Sequence, residues 1–224
     1  MRIIGITGGT GAGKTSAVRA LQVLGVKVID CDKVYHELLI KNSEMITEIE
    51  AAFANVTDDG KINRRKLGET VWADPKALQK LNFITHKYIS VEIDRRIDTF
   101  REQNANIIAI DAIALIESGQ GKRCNIIVGV TAPQENRVLR IMKRDNISKD
   151  AALSRINAQK PESFYKENCG YILENTYDTE EEFEDKCFEF FRDNLRLGGA
   201  TPFPMPPAGG GGCTTWKGNG ISYE

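Results

Sequence analysis

A lysine and a threonine behind a run of glycines stand near the start of this 224-residue chain: Gly8-Gly9-Thr10-Gly11-Ala12-Gly13-Lys14-Thr15. The spacing fits G-x-x-x-x-G-K-[ST], a phosphate-binding loop or P-loop. Glycines let the backbone curl until its N–H groups face a phosphate, and the N-terminus of a following helix adds partial positive charge. The residues that would hold a nucleotide are Gly9, Thr10, Gly11, Ala12, Gly13, Lys14, Thr15 and Ser16. Lys14 would reach the outer phosphates, and the Thr15 hydroxyl would ligate Mg²⁺. The bland alternative is a glycine turn that binds nothing. Against it stands the context: Arg2-Ile3-Ile4-Gly5-Ile6-Thr7 reads as a buried strand, and Ser16 to Leu24 as an amphipathic helix.

Carboxylates come next. Ile29-Asp30-Cys31-Asp32 puts two of them at the end of a strand-like run, Val26 to Asp30, where ligands gather in open α/β sheets. Asp30 can orient a magnesium shell, and Asp32 can accept a proton from an attacking hydroxyl. The competing reading makes Asp32 the N-cap of a helix starting at Lys33. Asp111, which ends the run Asn106 to Asp111, is a third candidate: a holder of magnesium-bound water or a strand-end cap. Between Pro133 and Lys160 lie Arg137, Arg140, Lys143, Arg144, Lys149 and Arg155. Spacings of three and four put Arg137, Arg140 and Arg144 on one helix face. Such a face is ordinarily solvated, but beside a P-loop it reads as a mobile lid that brings cations to a transferring phosphoryl group.

The elements that must position these residues alternate. Further strand-like runs are Asn125 to Thr131 and Tyr171 to Glu174, and helical stretches separate them, as in a mostly parallel sheet with right-handed crossovers. The long gap from Cys31 to Ala105 reads as helical, with a polar turn at Thr57-Asp58-Asp59-Gly60. Thr179 to Leu195 reads as a final amphipathic helix with Phe183, Cys187, Phe190 and Phe191 turned to the core. The expected organisation is one domain over 1–197, with a helical acceptor-binding insertion at 33–105 and a lid at 133–160. A Gly/Pro-rich tail, 198–224, is expected to be disordered. The net charge of −1 offers no global field for nucleic acid or membrane, so any anion site must be local. Five scattered cysteines without a C-x-x-C pair support neither a zinc site nor a disulfide framework, and a cytoplasmic protein is the simplest reading.

A P-loop alone does not separate kinases from other nucleotide-binding proteins. The chain has no N-K-x-D base-reading motif, and Ile108-Ala109-Ile110-Asp111-Ala112 has no glutamate after the aspartate, which sets aside GTPases and large ATPases. The ordered motifs resemble the dephospho-CoA kinase family over about residues 1 to 195. They are the P-loop, the Asp30/Asp32 pair, Gly60-Lys61-Ile62-Asn63-Arg64-Arg65-Lys66-Leu67 and Leu81-Asn82-Phe83-Ile84-Thr85-His86. Arg140-Ile141-Met142-Lys143-Arg144-Asp145, Arg155-Ile156-Asn157-Ala158-Gln159 and Asn175 follow in order. The resemblance implies an α/β P-loop kinase three-layer fold with a mostly parallel five-stranded sheet, a helical insertion and an arginine-rich lid. It also implies ATP and Mg²⁺ as cofactors and dephospho-CoA as the small-molecule partner, without nucleic acid or membrane, in a monomer. Asp32 would be the base and Lys14 and Arg140 the catalytic cations. Asn175 would contact adenine, and Arg64, His86 and Glu117 would lie on the acceptor side. The chain departs from the family at Lys87 (usually Pro), Ile113 (Pro), His36 (Arg) and Arg137 (Gln). A kinase of another nucleotide or nucleoside, or an ATP sensor without turnover, are the alternatives.

Overall fold

The computed structural model describes residues 1–58, 60–72, 74–195, 214–216 and 221–223. In chain order, β1 (Arg2–Gly8), α1 (Lys14–Val23) and β2 (Lys27–Asp30) come first. Then follow α2 (Cys31–Lys41), α3 (Ser43–Ala52), a two-stranded ribbon of β3 (Thr57–Asp58) and β4 (Lys61–Ile62), α4 (Arg64–Trp72) and α5 (Pro75–Glu102). The chain continues with β5 (Ile107–Asp111), β6 (Ile126–Thr131), α6 (Gln134–Asp145), α7 (Lys149–Asn157), α8 (Glu162–Asn168), β7 (Tyr171–Glu174) and α9 (Glu180–Leu195). Two three-residue strands, β8 (Thr214–Trp216) and β9 (Ile221–Tyr223), end it. The chain divides into two units: residues 1–28 with 105–224, and residues 29–104.

In the first unit β1 is central. It pairs in parallel with β5, Ile6 opposite Asp111, and with β6, Gly8 opposite Val130. The register brings the P-loop and Asp111 to the same carboxyl edge, where an open α/β sheet binds ligands. The sheet order is β2-β5-β1-β6-β7-β8-β9, with β7 parallel to β6 and to β8, and β9 antiparallel to β8. Five of its strands, β1, β2, β5, β6 and β7, are those expected. Of the tail expected to be disordered, only β8 and β9 fall among the described residues, and they extend the sheet edge past β7.

One face of this sheet is covered by α1 and α9, which pack together. Phe183, Cys187, Phe190 and Phe191 are all buried there beside Ile4, Ile6, Leu21 and Leu173. Phe190 stands edge-on to both Tyr171 and Phe191, at centroid distances of 5.5 and 5.2 Å. The aromatics of α9 are therefore core, in the arrangement their quadrupoles favour. The start of α9 is set by Thr179: its hydroxyl accepts from Glu182 N–H while the Glu182 carboxylate accepts from Thr179 N–H, a reciprocal cap.

The second unit is a helical layer organised on α5, against which α2, α3 and α4 pack. Asn42 ends α2 and caps α3, its side chain accepting from Met45 N–H at 2.8 Å. The 28-residue α5 starts at a capping Asp74 with Pro75 in its first turn, the position where a missing N–H costs nothing. Lys87 lies inside α5, pairs with Glu48 at 2.6 Å and keeps the helical hydrogen bond that a proline would delete. No helix among the described residues is long and apolar enough to cross a membrane.

Candidate active site

Gly13 is the N-cap of α1 and adopts φ +103°, a left-handed conformation; a Cβ there would also collide with Asn175 Nδ2. Only glycine fits. Because a glycine caps it, α1 has no side-chain acceptor on its first N–H groups and no acidic residue in its first turn. Those donors and the helix dipole are left for an anion. Lys14 Nζ contacts Asp111 Oδ1 at the end of β5, both side chains largely buried. Thr15 is exposed, and its hydroxyl has no protein partner among the described residues.

The three arginines of α6 share a face, as their spacing requires, and that face is docked on the P-loop. Arg137 Nε donates to Thr10 O at 2.9 Å. Arg140 donates to Gly11 O at 3.4 Å, and to Asn175 Oδ1 and Tyr177 O at 3.0 Å each. Arg144 reaches Thr10 Oγ1 at 3.4 Å and pairs bidentately with Asp145, which also holds Arg155. Arg140 is half-buried, fastened by three hydrogen bonds to the frame of the loop, and burial pushes its pKa down. Arg144 and Arg155 are exposed and joined through one carboxylate.

Asn175 is 4% exposed, its Nδ2 donates to Ala12 O at 2.9 Å, and its Oδ1 accepts from Arg140. It braces the P-loop, with one amide N–H and one oxygen lone pair beyond these two bonds. Glu117 is exposed beyond β5 and makes no ion pair with a lid arginine among the described residues. Its segment is anchored by the buried Thr7, whose hydroxyl donates to Ile113 O at 2.9 Å, so Ile113 needs no proline to be held.

In the second unit the helix after β2 starts at Cys31, two residues before Lys33, and its cap is Asp30. The Asp30 carboxylate accepts from Lys33 N–H at 3.0 Å and lies 3.3 Å from Lys33 Nζ. Asp30 is thus the capping residue of α2 and stays at the carboxyl end of β2. Asp32 sits in the first turn, exposed, with no hydrogen bond or ion pair among the described residues. The cap that competed with catalysis for Asp32 is supplied by its neighbour. Arg64 Nη2 lies 2.8 Å from His36 Nε2, so the imidazole nitrogen must accept, since a guanidinium has only donors. His86 is half-buried on α5, and burial pushes its pKa below the ordinary imidazole value, which favours the neutral ring.

Against this geometry, a sequence model of dephospho-CoA kinase matches residues 2–181. The chain belongs to the dephospho-CoA kinase family. A dephospho-CoA kinase of Dehalococcoides mccartyi is 36% identical over 177 residues, covering 78% of this chain and 89% of the relative. One from Geobacter sulfurreducens is 33% identical over 193 residues, covering 85% and 98%. The crystal structure of dephospho-CoA kinase from Campylobacter jejuni superposes with a TM-score of 0.65 at 25% identity, covering 86% of this chain and 97% of that one. Within this dephospho-CoA kinase family fold, Gln159 is a residue of the site to which sequence reasoning gave no role. It accepts from Thr10 N–H at 2.8 Å, and Arg137 donates to the same oxygen. The trailing R-I-x-x-Q run was the signal for Gln159; nothing in the sequence says that it bends back to the P-loop.

Proposed function

We infer that the chain transfers the γ-phosphoryl group of ATP to the ribose 3′-hydroxyl of dephospho-CoA, giving coenzyme A and ADP. One observation carries the reading: in a member of this family, α1 begins uncapped behind the P-loop with Lys14 and Asp111 at its mouth. The open N–H groups and Lys14 hold the β- and γ-phosphates. Asp32, unencumbered by capping, takes the proton of the 3′-hydroxyl as its oxygen attacks the γ-phosphorus in line and the bond to the β-phosphate oxygen breaks. Arg144 and Arg155 neutralise charge on the transferring group, while Arg140 and Asn175 keep the loop in shape. Arg64 and His86 serve the acceptor side.

The donor set at the mouth suits Mg²⁺: the free hydroxyl of Thr15 and the carboxylate of Asp111 are hard oxygen ligands. No three His, Cys, Asp or Glu side chains gather into a metal cluster among the described residues, in keeping with an ion that rests partly on substrate phosphates. When bound, the ion would offset phosphate charge. We place the enzyme in the cytoplasm, a compartment that suits the free thiols of Cys31, Cys124, Cys169 and Cys187, and take it to act as a monomer.

The test is ADP release from ATP·Mg²⁺ with and without dephospho-CoA, and with other nucleosides and nucleotides in its place. ADP should form one-for-one with a product phosphorylated at the 3′ position, and only with dephospho-CoA present. Release unchanged by the acceptor would contradict the assignment, and preference for another nucleoside would move it to a different acceptor.

A further inference from the structure

Arg137 stands where the family usually has glutamine, and it is half-buried with no ion pair among the described residues. Its Nε donates to Thr10 O at 2.9 Å, and its Nη2 donates to Gln159 Oε1 at 3.0 Å. The same Gln159 oxygen accepts from Thr10 N–H at 2.8 Å. Both backbone polar groups of Thr10 are thus closed into one ring of hydrogen bonds with a side chain from α6 and one from the end of α7. The ring also explains Gly9. The guanidinium lies so close to Gly9 that a Cβ there would collide with Nη2, although the backbone of Gly9 is outside the left-handed region and would accept alanine.

A cation in this setting is costly. Burial works against the charge, and Glu162 and Tyr165, which line a small cavity beside it, exert only a distant pull. A neutral donor could close the same ring without that cost. The charge is offset when a polyanion occupies the loop whose edge Arg137 grips, because charge compensation in a partly desolvated site is far stronger than in water. We propose that Arg137 is a positioning residue for nucleotide binding, whose uncompensated charge couples ATP phosphates to the closed Thr10–Gln159–Arg137 ring. The coupling is reciprocal: the ring tightens ATP binding, and ATP tightens the ring. This rests on the reading of the P-loop as an ATP site and adds to it a residue where the chain departs from the family's usual glutamine.

The test compares Arg137→Gln, which keeps a donor and loses the charge, with Arg137→Lys, which keeps the charge and loses the fork. Steady-state kinetics with varied ATP and thermal melts with and without ATP are the readouts. For Arg137→Gln, KM for ATP should rise roughly three- to tenfold, the scale of one charge contact, with kcat within about twofold. Its melting temperature without nucleotide should equal or exceed that of the parent, and its upward shift on adding ATP should shrink. Arg137→Lys should recover part of that shift. Gly9→Ala, which evicts the guanidinium, should cost less in the Arg137→Gln background than in the parent. Arg137→Gln with parental KM and parental ATP shift would overturn the proposal. So would a fall in kcat at constant KM, which would put Arg137 on the transferring phosphate, or a lower melting temperature without nucleotide as the sole effect. A parent enzyme that gives no ATP shift at all would instead remove the P-loop reading beneath it.

Discussion

Charge and hydrogen-bond commitment separate the arginines that spacing alone groups together. Arg140 spends its guanidinium on Gly11 O, Asn175 and Tyr177 O, whereas Arg144 shares Asp145 with Arg155 near the solvent. Arg140→Ala should therefore raise KM for ATP several-fold with kcat little changed, since it loosens the frame of the loop. Arg144→Ala should lower kcat on the order of a hundredfold, the scale of losing one donor to a transition-state anion, with a smaller change in KM. Steady-state kinetics on the two variants decide the matter, and the reverse pattern would return the catalytic role to Arg140. The P-loop residues were legible because glycine, lysine and threonine at fixed spacing have a local reason to be there. The bracing contact of Asn175 was not legible, because its partner Ala12 lies 163 residues away and leaves no trace in local sequence.

Among the elements, α5 is the spine of the second unit, and a set of charges ties it to α2. Glu92 accepts from Arg95 and from Arg96, and Arg96 also donates to Glu37 of α2 at 2.8 Å. The hydrogen bond from Arg95, with Arg96 behind it, holds the Glu92 carboxyl down to about 2. A carboxylate depressed on folding stabilises fully above its unfolded value near 4.5, and the contribution fades as pH falls from there toward about 2. Glu92→Gln should cost about 1 kcal/mol near neutrality, a modest figure because water reaches the group. The variant should also lose less melting temperature than the parent between about pH 5 and pH 3, since it has no such contribution to forfeit. Parallel declines would show that the pair does not brace α5. Hydrophobic pattern made the strands legible to within a residue or two: Tyr171 to Glu174 is strand over its whole predicted span, and α9 starts one residue past Thr179. The start of α2 was missed because Asp30 and Asp32 are equally good caps on paper. The bond from Lys33 N–H to the Asp30 carboxylate decides between them, and it releases Asp32.

At the scale of the whole molecule, the fold followed from the order of strand, glycine loop and helix, and the family match covers the stretch that contains every residue proposed to act. Of the residues proposed to act, Lys14, Asp111, Arg144 and Arg155 belong to the first unit, and Asp32, Arg64 and His86 to the second. What would set the proposed reaction apart from simple nucleotide binding is a proton acceptor, the role proposed for Asp32, so Asp32→Asn tests the account most directly. Asparagine preserves shape and hydrogen-bonding reach but cannot take a proton at neutral pH. Phosphoryl transfer to dephospho-CoA should be followed in a single turnover, with ATP and acceptor affinities measured on the same preparation. Binding should stay within a few-fold of the parent while transfer falls by roughly two orders of magnitude or more, the range of general-base effects. An Asp32→Asn protein that phosphorylates dephospho-CoA at the parental rate would contradict the mechanism.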